Sequence, residues 1–443
     1  MGRRQARTAD RDRRHLFLGA SFLALALGAL ALVRGPLLYD GSFFLYQVLQ
    51  TGAPFIPDNR IVAVPIHLLT LFVARFTDDT WTIALAFSGL YIALATGSYL
   101  GAAWWIQRRL GRLLAWPILG LLAVSPILVD ATTESLVTGG LAFPMVYLAA
   151  AAKSVARLAA AAILGLVLFA SHPAAGLVLS VAAAAAAYRW LRYGRRDHVE
   201  LLFGLVALCA GVLRLRLLVP GYETYIADPA TLATAMSHGI TYPVAIMVLS
   251  VWLAGAGLLL CGLNRLDARV ARWLPALPLA GALPVAASLL LGTGWPSALD
   301  YRLAIVPVLL PLLVMLVIDV VRDAAPPPAV DTRYQRAAAL TMIAIGVCVG
   351  LQTWRWNGDV SAMRTYVSAS TGPCIADVTG SDKAISNWGG RSLAVLIQGR
   401  RPRVVLGSVA ECQQLVSRHL YSGSNHFVAL YPSHSGWFHL PSP

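Results

Sequence analysis

The sequence predicts an all-α polytopic membrane protein of about eleven transmembrane helices, with a small α/β domain after the last of them. Three observations predict it. Of the 443 residues, 58% are hydrophobic and only 13% are charged, whereas soluble domains carry about 25% charged residues. Eleven apolar runs approach the roughly 20 residues that a spanning helix needs. Arginines gather in short clusters between those runs, as cytoplasmic loops do under the positive-inside rule. The formal net charge of +14 is thus spread over loops rather than along one continuous basic face, and nucleic-acid binding is set aside on that ground.

The first run, 16–33, follows the basic leader "MGRRQARTADRDRR". A basic leader before an apolar stretch is also the pattern of a cleaved signal peptide. This stretch is long for that, and no clear small-x-small cleavage site precedes Pro36. A retained first helix with a cytoplasmic N-terminus is the better reading. The other runs lie at 81–106, 112–129, 137–152, 158–170, 174–188, 199–219, 243–263, 274–291, 303–321 and 337–353. The run 61–76, "IVAVPIHLLTLFVARF", suits either a span or an interfacial helix, and charge decides between them. If 61–76 does not span, "IQRRLGR", Lys153 to Arg157, "RWLRYGRR", "NRLDARVAR" and Arg322 to Arg336 all fall on one side. The opposite loops "VDATTES", "SHP", "PGYETYIADPATLATAMSHGITYP" and "GTGWPSALDYR" then carry one arginine, Arg302. If it spans, that pattern breaks. Residues 34–80 therefore read as one exterior loop with two juxtamembrane helices.

The first helix of that loop starts at Asp40 or Ser42, whose side-chain oxygens can cap it. Phe43, Phe44, Tyr46, Val48 and Leu49 give it apolar surface to lie on the bilayer, and Gly52 stops it. Residues 1–353 form the transmembrane domain, and 354–443 turn polar, with glycine, serine and proline punctuation. Short β-like runs ("RVVLG", "HFVALY") and a helical stretch from Glu411 to Leu420 predict a small exterior α/β domain. "APPPAV" at 325–330 is a stiff link. Of five cysteines, Cys209, Cys261 and Cys348 lie in apolar runs as small buried hydrophobes. Cys374 and Cys412 lie in the polar tail, as a disulfide permitted outside the cytoplasm or as two unpaired thiols. No Cys/His cluster supports a zinc site.

Sorted by side, the polar groups of the exterior face include Asp40, Asp58, Asp130, Glu134, His172 and Arg302. Arg214 and Arg216 end the seventh span. Separated by one residue, they point about 200° apart on a helix. Either both anchor at the interface or one turns into the bundle as an anion site. Asp40 serves as a helix cap, as a base, or as both, since a carboxylate at a helix N-terminus stays ionised and can accept a proton. Glu134 is a site residue or a solvated loop acid. "SHP" at 171–173 is a helix-ending turn or carries a catalytic histidine. His67 lies on an interfacial helix and is read as satisfied locally.

These residues resemble the GT-C superfamily of integral-membrane glycosyltransferases, mannosyl- and arabinosyltransferase-like enzymes that use a polyprenyl-phosphate sugar. "YDGSFFLYQVLQTG" is similar to the family's first-loop pattern of an acid, aromatics, a short helix and a glycine. "RLGRLLAWPILGLLAVSPILVDATTES" resembles a basic turn and a span ending in Ser-Pro before a second acid-bearing loop. "DYRLAIVPVLLPLL" resembles the late span that opens with an arginine. The resemblance implies a GT-C-like fold over residues 16 to about 353. It implies Asp40 as general base on an acceptor hydroxyl, and Glu134 or Asp130 as acceptor-orienting or cation-holding acids. It also implies Arg302 as the donor-phosphate contact, with no cofactor beyond a divalent cation (Mg or Mn) in some members. Arg214 or Arg216 as a second phosphate contact follows from their depth. Many members carry two adjacent acids where this chain has Asp40 followed by Gly41, and Asp58 is the candidate substitute. The implied partners are a polyprenyl-phosphate-linked sugar, the lipid bilayer and a glycan, lipid or protein acceptor. The implied place is a bacterial plasma membrane. The rival readings are a transporter or flippase of a lipid-linked sugar and a glycan ligase or polymerase of another fold.

Overall fold

A computed structural model describes residues 2–38, 40–56, 61–110, 114–130, 134–151, 154–193, 198–216, 230, 233, 240–292, 301–322, 328–372, 374–376, 390–407, 412 and 437–438. The chain is mostly helical. Its longer elements are α1 (Gly2–Leu32), α2 (Asp40–Thr51), α3 (Val64–Val73), α4 (Thr80–Leu110), α5 (Ala115–Val124), α6 (Glu134–Ala151), α7 (Val155–Phe169), α8 (Ala175–Tyr193) and α9 (His198–Arg216). After a stretch outside the described residues come α10 (Tyr242–Gly262), the short α11 (Ala268–Ala271), α12 (Leu277–Leu290), α13 (Tyr301–Val321) and α14 (Pro328–Ala369).

Each of the eleven predicted runs is occupied by a helix, and among the described residues seven stretches are long and apolar enough to cross a membrane: Arg14–Leu32, Thr80–Ile106, Glu134–Ala151, Tyr242–Gly262, Ala268–Leu290, Ala304–Val321 and Thr332–Ala369. Large apolar side chains such as Phe17, Leu25, Leu249, Leu253, Leu283 and Val314 point outward from them, a surface suited to lipid. α3, with 10 residues, is about 15 Å long and cannot cross a hydrocarbon layer of about 30 Å. Its Leu68, Leu69 and Phe72 are exposed, while Ile66, His67 and Thr70 are buried.

Small residues let the helices meet closely, the usual device where lipid removes the hydrophobic drive between helices. A Cβ on Gly19 of α1 would stand 2.8 Å from the Ala339 carbonyl of α14. Gly346 packs on Phe22, and Trp356 donates its Nε1–H to the carbonyls of Val33 and Arg34, each at 3.1 Å. α1 and α14 are therefore parallel neighbours. α4 and α6 are parallel too. Gly139 and Gly140 lie against Tyr99 and Ser98, and Trp105 meets Tyr147 edge-on at 5.2 Å. α8 and α9 form an antiparallel pair, with Gly204 over Ala183 and Gly211 over Gly176.

Away from α2, a polar knot ties four helices. The fully buried Asp319 accepts hydrogen bonds from Trp116 Nε1 at 3.1 Å and Tyr334 Oη at 3.3 Å, and pairs with Arg322 at 3.2 Å. Tyr334 also bonds the Leu258 carbonyl at 3.0 Å. Nearby in sequence order, Arg189 of α8 pairs with Glu200 of α9 at 2.6 Å and bonds the Ala150 carbonyl.

Two sequence expectations are corrected. The last helix does not end with its apolar run at 353: α14 continues as one 42-residue helix to Ala369. Beyond 353 it buries Trp356, Val360, Met363 and Val367, a helical spacing that the polar composition of the stretch masks. α2 does not lie on a bilayer. All of Asp40 to Gln50 except Gln47 is buried, because C-terminal elements cover it. α15 (Gly390–Gln398) packs on α2 and α4. Phe438 stacks on Tyr46 with ring centroids 5.1 Å apart, and its N–H donates to Gln50 Oε1 at 3.0 Å.

The described part of the C-terminal region is α15 flanked by two parallel strands, β1 (Cys374–Ala376) and β2 (Val405–Gly407), with Cys374 opposite Val405. Cys374 is disulfide-bonded to Cys412 across 38 residues. Arg400 pairs with Asp78 of the α3–α4 connection at 2.8 Å. "HFVALY" at 426–431 and, Cys412 apart, the stretch 411–420 lie outside the described residues.

Candidate active site

Three acids of the sequence reading converge near the first turns of α2 and α6. Asp40 opens α2, Glu134 opens α6, and Asp130 ends the 3-10 turn Ser125–Asp130 that closes α5. Exposure falls to 8% for Asp40 and 3% for both Asp130 and Glu134, so none is a solvated loop acid.

The turn that carries Asp130 is held from α14. Gln352 donates from Nε2 to the Ser125 carbonyl at 2.7 Å and accepts from the Val129 N–H at 3.2 Å. The turn Gly35–Leu37, just before Asp40, packs on it. Tyr301, the first residue of α13, donates its hydroxyl to the Ala123 carbonyl. That bond fixes the start of the helix bearing Arg302. Asp58 and the Arg302 side chain lie outside the described residues.

Between the acids stands a pair that the sequence reading missed. His67 Nε2 and Tyr91 Oη are 2.7 Å apart, and both Glu134 and Asp40 lie within electrostatic reach of the Tyr91 hydroxyl. The partner of His67 thus comes from α4, 24 residues further along the chain. Phe87 stacks on its imidazole at 6.2 Å, and Phe44 meets it edge-on at 6.3 Å. Burial pushes its pKa down to about 4 against an ordinary 6.5, opposed in part by the Phe55 backbone. The ring is neutral at pH 7. Only the acids, spaced far apart in sequence, were visible without the fold; the exposed-apolar, buried-polar pattern of α3 was the available signal for His67.

The parallel packing of α4 and α6 sets the depth of this cluster. Tyr91 lies ten residues beyond Trp81 at the start of α4, about 15 Å along the helix axis. The acids are thus recessed into the bundle and not at its rim.

The corner Ser171–Pro173 joins the same region. Ser171 Oγ bonds Thr138 Oγ1 of α6 at 2.9 Å, and the Ala170 carbonyl accepts from the Ile61 N–H at 3.3 Å. His172 is buried there, and its Nδ1 accepts from the Ala174 N–H at 3.1 Å, the part of a turn-former. The register of α8 and α9 brings Arg214 level with the start of α8, beside that corner. Arg214 is buried and Arg216 exposed, the opposed facing that the 200° separation requires.

Among the described residues no group of three His, Cys, Asp or Glu side chains is placed to hold a metal ion. Asp40 and Glu134 approach Tyr91 from different elements. In comparisons with known proteins, no family model, no curated protein and no solved structure matches the chain.

Proposed function

We propose that the chain is a GT-C-type membrane glycosyltransferase, which moves a sugar from a polyprenyl-phosphate donor to an acceptor hydroxyl at the outer face of a plasma membrane. The observation that carries the reading is the buried meeting of Asp40, Glu134 and the His67–Tyr91 pair at the N-termini of two helices. Buried titratable groups brought together from separate elements are candidates for a reaction site. The eleven helices then cross the bilayer from a cytoplasmic N-terminus, and the C-terminal unit lies outside.

In this reading Asp40 takes the proton from the acceptor hydroxyl as its oxygen attacks the anomeric carbon. The bond from that carbon to the lipid-phosphate oxygen breaks on the opposite side, which inverts the configuration. Negative charge develops on the departing phosphate, where Arg302 and Arg214 are the candidate cations. Glu134, with Asp130 behind it, orients the acceptor. Tyr91, held by His67, keeps the two carboxylates apart and positioned.

The test is single-turnover transfer from a panel of synthetic polyprenyl-phosphate sugars with purified protein. Asp40→Asn is expected to lower transfer by 100-fold or more, on the order of a lost general base, with an unchanged melting temperature. Wild-type turnover in that variant would sink the role of Asp40. Donor binding without transfer by wild-type protein would favour a transporter.

A further inference from the structure

Away from the acid cluster, two guanidinium groups meet one indole. Arg34 follows α1 in a left-handed backbone conformation, φ 58°. Its Cζ lies 4.7 Å from the Trp81 ring centroid, and its Nε donates to the Trp81 carbonyl at 3.3 Å. Its Nη1 donates to the Leu32 carbonyl at 2.5 Å. Arg364, exposed on the extension of α14, places its Cζ 4.6 Å from the same ring. The two cations are close enough to repel: burial first, and Arg364 second, lower the Arg34 pKa, while Asp79 opposes them.

Asp79 does not neutralise the pair. Its carboxylate caps α4, accepting from the N–H groups of Trp81 at 3.2 Å and Thr82 at 3.1 Å. Among the described residues no carboxylate forms an ion pair with either arginine. Two adjacent forked cations held on an aromatic plate form a site for an anion with several acceptor oxygens.

The surroundings indicate which anion. Leu32, two residues before Arg34, is 62% exposed, and Trp354 on the neighbouring α14 is 60% exposed. Trp356, which bonds the Arg34 carbonyl, shows that these two exposed side chains sit at one level of the bundle. The last outward apolar positions of α1 and α14 therefore end where the cations begin, the arrangement of a membrane interface.

We propose that Arg34, Trp81 and Arg364 bind the phosphate group of a lipid whose chains lie along α1 and α14. This site stands apart from the acid cluster and does not depend on the transferase reading.

The experiment is thermal stabilisation of the purified full-length protein in detergent, titrated separately with dioleoylphosphatidylglycerol, dioleoylglycerol and inorganic phosphate. Only the first is expected to stabilise wild-type protein. Arg364→Gln, at an exposed helical position, should leave the lipid-free melting temperature unchanged. It should raise the half-saturating phosphatidylglycerol concentration about five-fold or more, as loss of one interfacial arginine predicts. Arg34→Lys, which keeps the charge but loses the fork, should shift it in the same direction. Wild-type affinity in both variants overturns the site. Equal stabilisation by dioleoylglycerol makes the contact one of tails alone, and equal stabilisation by inorganic phosphate overturns the lipid assignment.

Discussion

The His67 imidazole is enclosed by Phe44, Phe87 and Tyr91, and its pKa of about 4 makes it a reporter of the site it supports. Below pH 6.5 the unfolded chain takes up a proton that the folded chain refuses until about pH 4. Stability from this group is therefore fully present above pH 6.5 and falls as the pH drops, by about 3 kcal/mol at pH 4. His67→Gln removes that dependence. Melting curves of the two proteins at pH 7.5 and 4.5 should show wild type ahead at the higher pH and the gap narrowed at the lower. Other carboxylates titrating in this window are common to both proteins and cancel in the difference. A gap that stays constant would mean that His67 is not held neutral by burial. Tyr91→Phe tests the other half of the pair. Losing the hydroxyl bonded to His67 Nε2 should cost about 1–3 kcal/mol, and transfer should fall with Asp40 still present.

At the scale of elements, the site depends on how closely α4 and α6 pack, since Tyr91 rides on one and Glu134 on the other. A Cβ on Gly140 would collide with the Ser98 side chain. Gly140→Ala should therefore cost about 1–3 kcal/mol by overpacking. Ser98→Gly in the same chain should recover part of that loss, read as a coupling in a double-mutant cycle. On the far side, Asp319→Leu strands the buried Arg322 and should cost about 3–5 kcal/mol, measured as a lowered melting temperature. The helices themselves were legible in the sequence, because eleven apolar runs leave little choice where backbone groups must bond internally. The acids were legible as well, for Asp40, Asp130 and Glu134 sit at breaks between such runs. What escaped were pairings across distance. His67 and Tyr91 belong to separate helices, and Gln352 reaches back to a turn more than two hundred residues earlier. Asp319 lies inside an apolar run, where it reads as a flaw until Trp116, Tyr334 and Arg322 are seen around it. The continuation of α14 was hidden by its polar letters, although Trp356, Val360, Met363 and Val367 keep a helical period.

At the scale of the whole molecule, the two ends of the chain meet over α2. The first loop supplies Asp40, Tyr46 and Gln50, and the C-terminal region supplies α15 and Phe438, so the cover of the acid cluster is built from residues about 390 apart. Among the described residues that contact comprises the buried Leu393, Val395 and Leu396 of α15, one ring stack, one hydrogen bond, and the exposed Arg400–Asp78 pair, itself worth at most about 1 kcal/mol. The Cys374–Cys412 bond closes a 38-residue loop around α15. A loop of that length removes about 4 kcal/mol of unfolded-chain entropy in the chain-entropy model. The bond therefore acts on the cover and not on the helices beneath it. A Cys374→Ser, Cys412→Ser double variant should keep the melting temperature of the helical bundle while protease cleavage between residues 370 and 412 accelerates at least ten-fold, the rate following the open fraction of the unit. Limited proteolysis with mass analysis of the fragments measures both. If the bundle melts lower by the full amount with no change in cleavage, the C-terminal unit is an integral part of the core. If cleavage alone rises, it is a separable cover, and transfer measured on the nicked protein then tells whether the acid cluster needs that cover to turn over.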